Sequence, residues 1–254
     1  MKLDGVTAIV TGGGSGLGEA SAKALAAAGA KIAIFDLNEE NAERVAGEVG
    51  GSAHACDVSD AAQTEAAMAA AREAQGAARV LINCAGIGVS ARAVSRKGPL
   101  PLEQFTRVIE INLIGTFNAI RLAAADMLAL DPLGDSGGRG VIINTASVAA
   151  TEGQIGQPAY SASKGGVSAM TLPLAREFAS NGIRVNTISP GLFRTPMMFT
   201  LPPEVQKALG DSVPFRSRLG TPEEYADLAV HICQNDMING ETIRLDGALR
   251  MAPK

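Results

Sequence analysis

Short uninterrupted apolar runs alternate along this chain with longer stretches in which apolar residues recur every three or four positions. The runs at 6–10 (VTAIV), 31–35, 79–83 (RVLIN), 141–145 (VIINT), 183–188 and 242–245 have the length of strands buried on both faces. A further strand is expected to end in Cys56-Asp57-Val58. Helical periodicity fills 17–28, 39–49, 60–75, a stretch from 102 through Asn112, and 157–179. Strand and helix alternating without a linker predict one α/β domain over 1–254: a doubly wound parallel sheet of about seven strands with helices on both faces. Pro173, inside the last helical pattern, lacks the N–H that would bond to Ala169 and predicts a kink.

Parallel strands joined this way gather their ligand site at the carboxyl edge of the sheet. Gly12, Asp36, Asp57, Gly86, Ser147 and Pro190 all follow predicted strand ends. The first strand runs into TGGGSGLG and then an alanine-rich helix. That order brings backbone N–H groups and a positive helix end to a pyrophosphate, as in a Rossmann-type dinucleotide fold. The glycines stand at 12, 16 and 18, a G-x-x-x-G-x-G spacing rather than G-x-G-x-x-G. Asp36 closes the second strand, where a carboxylate accepts hydrogen bonds from both adenosine ribose hydroxyls and repels a 2′-phosphate. No Arg or Lys occupies the glycine loop and Leu37 follows the acid, so NAD is expected over NADP. Beyond the fourth strand, Cys84-Ala85-Gly86 offers small residues that let the backbone approach a flat ring.

Composition narrows the class. With 254 residues, 46% of them hydrophobic, one large core can be buried. A net charge of −4 supplies no basic footprint for nucleic acid. The first strand begins by Val6, so no signal peptide is expected, and no apolar run is expected to reach membrane-spanning length. Three cysteines (Cys56, Cys84, Cys233) and two distant histidines (His54, His231) lack metal-ligand spacing. They predict reduced thiols, a cytoplasmic protein and no metal.

The candidate chemistry lies in YSASK. Tyr160 and Lys164 stand one turn apart on the 157–179 helix, with Ser147 thirteen residues upstream. A free phenol ionises near pH ~10, and a neighbouring ammonium is expected to lower that value, making Tyr160 a general acid/base. Ser147 would hold a substrate oxygen against the phenol. Taken singly, Asn112 serves equally as a satisfied amide in an apolar helix, Ser147 as a cap, and Thr195 as the fixed residue before Pro196. Their joint register with a dinucleotide loop selects the catalytic reading.

TGGGSGLG, Asp36, Asp57-Val58, NCAG at 83–86, Asn112, Ser147 and YSASK together resemble the short-chain dehydrogenase/reductase family, over essentially the whole chain. GVIINTASVAATEGQIGQPAYSASKGG, PGLFRTP, VPFRSRLG and NGETIRLDGALRM resemble its type II 3-hydroxyacyl-CoA dehydrogenase branch, also described as 17β-hydroxysteroid dehydrogenases. The resemblance implies an NAD-dependent oxidoreductase of fatty acid metabolism that interconverts 3-hydroxyacyl-CoA and 3-oxoacyl-CoA, as a homotetramer. It implies a cofactor half over about 1–145 and a catalytic and substrate half over about 146–254. Tyr160 would exchange the proton, Lys164 would bind the nicotinamide ribose, Ser147 would orient the substrate oxygen, and Asn112 would hold a relay water. Gly12, Ser15, Gly16, Leu17 and Gly18 would line the pyrophosphate, while Asp57 and Val58 meet the adenine. Cys84, Ala85 and Gly86 would contribute backbone near the ribose, with Pro190, Phe193 and Thr195 embracing the nicotinamide end. Gln154 would be a candidate second polar contact to the substrate oxygen.

Substrate identity rests on two loops. The segment 88–101 carries Arg92, Arg96 and Lys97 in an acidic protein, either to receive coenzyme A phosphates or as a solvated loop. PMMFTLPP after Thr195 reads as an adaptable apolar lid. Two rivals stand beside this reading. One is another secondary-alcohol, steroid or 3-oxoacyl-carrier-protein enzyme, the last disfavoured by Asp36. The other is a non-catalytic dinucleotide-binding module, disfavoured by the intact Asn112/Ser147/Tyr160/Lys164 set.

Overall fold

The structure, a computed structural model, describes residues 1–134 and 136–253. Seven parallel strands form one sheet: β1 (Thr7–Thr11), β2 (Lys31–Asp36), β3 (Ser52–Ala55), β4 (Val80–Asn83), β7 (Gly140–Thr145), β8 (Ile183–Pro190) and β9 (Thr242–Leu245). Their order is β3-β2-β1-β4-β7-β8-β9. The chain steps outward from β1 through β2 to β3, then returns to β4 and proceeds the other way. The reversal between β1 and β4 opens a crevice at their carboxyl ends, the place such sheets hold ligands.

The apolar runs become strands because both faces of the sheet are covered. Ile32, Ile34, Val80, Ile82, Val141 and Ile143 pack with helices α1 (Gly16–Ala27), α2 (Glu39–Val49) and α9 (Pro222–Gln234). Their neighbours in the chain, Ala33, Phe35, Leu81 and Ile142, point the other way onto α3 (Ala61–Gln75), α5 (Thr116–Leu128) and α6 (Pro158–Ala179). Side-chain oxygens start several helices: Asn38 accepts from Asn41 N at 2.9 Å and Asp60 from Gln63 N at 3.0 Å. Thr221 and Glu224 form a reciprocal cap before α9, with Pro222 in its first turn.

Four expectations need correction. Strand β3 ends at Ala55, before Cys56-Asp57-Val58, because Asp57 turns the chain by accepting from Ser59 N and Oγ. The helix expected from 102 is α4 (Leu102–Ile109), then a π-helical segment Glu110–Gly115 that contains Asn112, then α5. That continuous stretch, Leu102–Leu128, is long and apolar enough by length and composition to cross a membrane, contrary to expectation. Half of its most apolar window is buried within the protein, as for a core helix. The 88–101 segment carries a hairpin, β5 (Val94–Ser95) and β6 (Gly98–Pro99), with Arg96 and Lys97 exposed in its turn. Helix α6 continues past Pro173 to Ala179. The short helices α7 (Pro196–Phe199) and α8 (Pro203–Asp211) follow β8.

Candidate active site

The glycine loop crosses from β1 to α1 directly against the start of the next crevice wall. Gly12 has φ +63°, and a β-carbon there would stand 2.7 Å from Ala85 N. A β-carbon on Gly18 would overlap the Gly12 carbonyl oxygen, so the loop closes onto its helix only with glycine. Ser15 caps α1 through its backbone, leaving its hydroxyl uncommitted to the helix, and Leu17 packs partly on the core. Asp36 braces the loop: Oδ2 accepts from Gly14 N and Oδ1 from Asn38 N, each at 2.9 Å. Each oxygen keeps a further lone pair for a ribose hydroxyl.

The floor and far wall follow. Asp57 pairs with Arg107 at 2.9 Å, so its carboxylate is committed to α4. Val58 is buried beneath Gly115, whose β-carbon would stand 2.7 Å from Val58 Cγ2. The Cys84 thiol turns toward Thr145 Oγ1 at 3.5 Å and Tyr225 OH at 3.9 Å, and burial raises its pKa, so it is no nucleophile. Ala85 N donates to Thr11 Oγ1 at 3.3 Å.

Lys164 and Ser147 each neighbour Tyr160, and Asn112 and Lys164 meet beside Gly86. A β-carbon there would meet Asn112 Oδ1 at 3.1 Å and Lys164 Nζ at 3.5 Å. Asn112 is fully buried. Its amide bonds both backbone groups of Ile87, at 2.8 and 2.9 Å, and donates to Ser163 Oγ at 3.1 Å. Ser163 in turn donates to Tyr160 O at 2.7 Å, tying the π-helical segment to α6. Lys164 Nζ donates to Thr145 O at 2.7 Å and lies 5.9 Å from the Tyr160 ring centre. Ser147, just past β7, accepts from Ala149 N at 3.1 Å and faces the phenol.

The electrostatics differ from expectation. Burial, not Lys164, dominates Tyr160 and raises its phenol above the ordinary value, with the Ser147 hydroxyl drawing it partway back. Burial also pulls Lys164 down to about 8. Tyr160 is therefore a protonated phenol at neutral pH, ready to give its proton.

The residues expected at the nicotinamide end divide. Pro190 ends β8, buried. The Phe193 ring is buried in the core against Gly220, where a β-carbon would stand 2.7 Å from it, so only its backbone borders the crevice. Thr195 and Pro196 lie over the glycine loop, Pro196 Cδ 3.2 Å from a β-carbon placed on Gly16. Met197 Sδ reaches the opposite wall, 2.5 Å from where a Gly88 β-carbon would be. Helix α7 thus spans the crevice. Gln154 donates its amide to Ala252 O at 2.9 Å, which commits it to the C-terminal segment instead of the reacting pair. The pattern missed Thr145, whose backbone carbonyl holds Lys164 and leaves no side-chain mark, and Ser163, which holds Asn112 and shows only as a polar position in YSASK.

Residues 6–206 match the family described as short chain dehydrogenase. The chain belongs to the short-chain dehydrogenase family. Among its relatives, the 3-hydroxyacyl-CoA dehydrogenase type-2 of Bos taurus is 52% identical over 257 residues, covering 99% of this chain and 98% of that one. A crystal structure of 3-hydroxyacyl-CoA dehydrogenase type-2 from Mycobacterium avium superposes with a TM-score of 0.93 at 43% identity, covering 98% of each chain. A 3-ketoacyl-(acyl-carrier-protein) reductase from Brucella melitensis, solved with NADH, follows at 0.85 and 33% identity, covering 97% of this chain and 98% of that one.

Proposed function

We propose that this chain is an NAD-dependent 3-hydroxyacyl-CoA dehydrogenase, interconverting 3-hydroxyacyl-CoA and 3-oxoacyl-CoA. The observation that carries the reading is the linked set of Asn112 and Lys164 beside Gly86 with Tyr160 between Lys164 and Ser147, in a chain half identical to a type-2 enzyme along nearly its whole length.

The residues fit a nicotinamide dinucleotide. The Gly12–Gly18 turn excludes β-carbons where backbone must approach a phosphate, and Asp36 keeps acceptors for ribose hydroxyls. Lys164 is a buried ammonium with one acceptor, Thr145 O, for its three protons, which leaves donors for ribose oxygens. In this reading Ser15, Gly16 and Leu17 serve the pyrophosphate, Val58 with the Asp57 backbone borders the adenine, and Ala85 and Gly86 lie along the ribose. Pro190, Thr195 and the Phe193 backbone border the nicotinamide. When bound, the dinucleotide supplies or accepts the hydride.

The chain's own part is positioning and proton transfer. Tyr160 OH donates to the ketone oxygen in reduction and receives the proton in oxidation. Ser147 Oγ holds that oxygen against the phenol. Lys164 stabilises the phenolate that forms, and Asn112 fixes Ile87 and Ser163 around the pair. Arg92, Arg96 and Lys97, exposed and without ion pairs among the described residues, suit coenzyme A phosphates. A 3-oxoacyl-carrier-protein reductase remains the second reading. The Brucella melitensis enzyme with NADH removes the argument that Asp36 and NAD exclude it. A cytoplasmic homotetramer that binds neither nucleic acid nor membrane completes the proposal, supported by three free thiols and the apolar surface of α5.

The deciding experiment is NADH-linked turnover of acetoacetyl-CoA against an acyl-carrier substrate, beside Tyr160→Phe. Strong wild-type activity on the CoA thioester, falling by roughly 10²- to 10⁴-fold in the variant with NADH binding intact, is expected. Preference for the acyl-carrier substrate would overturn the substrate assignment, and an active variant the mechanism.

A further inference from the structure

The loop 151–157 joins the turn after Ser147 to the start of α6, so it bridges the two residues that face the substrate oxygen. It is fastened on both flanks. On one, Gly156 O accepts from Ala91 N at 2.6 Å, joining the loop to the segment that carries hairpin β5–β6. A cleft of about 540 Å³ lies between them, lined by Arg92, Ala93, Val94, Ile155, Gly156 and Pro158. Its apolar sides and one guanidinium suit a long, weakly polar chain with an anionic end, which is the shape of a coenzyme A thioester.

On the other flank the loop is held by the C-terminal segment. Gln154 donates to Ala252 O at 2.9 Å and Ile155 N to Pro253 O at 3.1 Å. Glu152 makes the polar joint: Oε2 accepts from Met251 N at 3.1 Å, and Oε1 pairs with Arg244 Nη1 at 3.0 Å. Arg244, on β9, also bonds Asp246 and donates to Leu249 O at 3.0 Å. One carboxylate therefore connects an edge strand, the chain terminus and the loop between Ser147 and Tyr160. The Met251 N–H, then Arg244, holds Glu152 below its ordinary pKa, so the joint is ionised at neutral pH.

We propose that Glu152 is a positioning residue for the thioester side of the site, setting through the C-terminal segment the loop wall of the Arg92–Ile155 cleft. The proposal rests on the 3-hydroxyacyl-CoA reading. Without the joint, the loop pivots on Gly153 and Gly156 and the cleft loses its fixed width, while the glycine loop on the far side of β1 is untouched.

The test is KM for acetoacetyl-CoA at saturating NADH, with the NADH dissociation constant from fluorescence titration, in wild type, Glu152→Ala, Glu152→Gln and Met251→Pro. Glu152→Ala is expected to raise KM about tenfold while NADH binding changes less than about twofold. Glu152→Gln, which keeps an acceptor for Met251 N, recovers part of the loss. Met251→Pro removes that backbone donor near the terminus while leaving the Glu152 carboxylate in place, so it decides the matter if Glu152→Ala fails to fold. Unchanged KM in the folded variants, or NADH binding weakened as much as KM, would overturn the proposal. If wild type reduces simple ketones but not acetoacetyl-CoA, the functional reading fails instead. The thioester role of Glu152 is then overturned with it, whereas an active wild type with unchanged KM in the variants overturns the Glu152 role alone.

Discussion

Lys164 is the residue on which burial and chemistry conflict most directly. Its ammonium is taken out of water with Thr145 O as its hydrogen-bond acceptor, and its pKa falls to about 8 from 10.5. Between those values the unfolded chain binds more protons than the folded one, so this residue makes stability rise with pH across that window. Below pH 8 the full cost of burying the cation is present. Lys164→Met removes it: the variant should be inactive, and its stability relative to wild type should decline by roughly 2 to 3 kcal/mol as pH rises from 8 to 10.5. Urea unfolding at a series of pH values reads this difference, and parallel curves would show that Lys164 is not buried as a cation. The placement of the candidate residues was largely legible in the chain, because Tyr160, Lys164, Ser147 and Asp36 occupy positions that strand ends and one helical turn dictate. What was not legible depended on distant partners. Phe193 reads as ligand-facing beside Pro190-Gly191, and Gly220 decides that its ring is core. Gln154 reads as a substrate contact, and the structure gives its amide a partner in Ala252 O, 98 residues away.

Among elements, strands β1, β4 and β7 were readable since two-sided burial leaves no polar alternation to confuse them. The π-helical turn at Glu110–Gly115 was not, because EINLIGTF fits ordinary helical periodicity; the turn widens where the Asn112 amide must reach Ile87 and Ser163. The β5–β6 hairpin was invisible for a different reason: two paired residues per strand, mostly exposed, leave no burial pattern. Helix α9, by contrast, announces itself in Thr221-Pro222-Glu223-Glu224, a cap that sequence reading overlooked. The hairpin carries a prediction of its own. Replacing Arg96 and Lys97 together with Gln should raise KM for acetoacetyl-CoA by about 3- to 10-fold, more so at low salt, with no change for a ketone lacking coenzyme A. Equal KM values for the thioester in both proteins would mark the hairpin as a solvated loop.

For the molecule as a whole, one sheet carries both the glycine loop and the candidate catalytic residues, so no hinge separates them. The surface of that molecule is uneven. Ile114, Phe117 and Leu128 expose 52%, 47% and 42% of their area along the π-helical turn and α5, an apolar stripe that a second copy would cover in the proposed homotetramer. Light scattering should give a mass near four chains, and Phe117→Asp should lower it to dimers or monomers while leaving the fold intact by circular dichroism. A single-chain mass for wild type would end that proposal.

The start of helix α7 touches both walls, Pro196 against Gly16 of the glycine loop and Met197 against Gly88. Two compartments that differ in chemistry thus share one door. In the proposed function, a dinucleotide lying beneath this cover would be sealed in by the acyl substrate nearer the opening, so it would bind first and leave last.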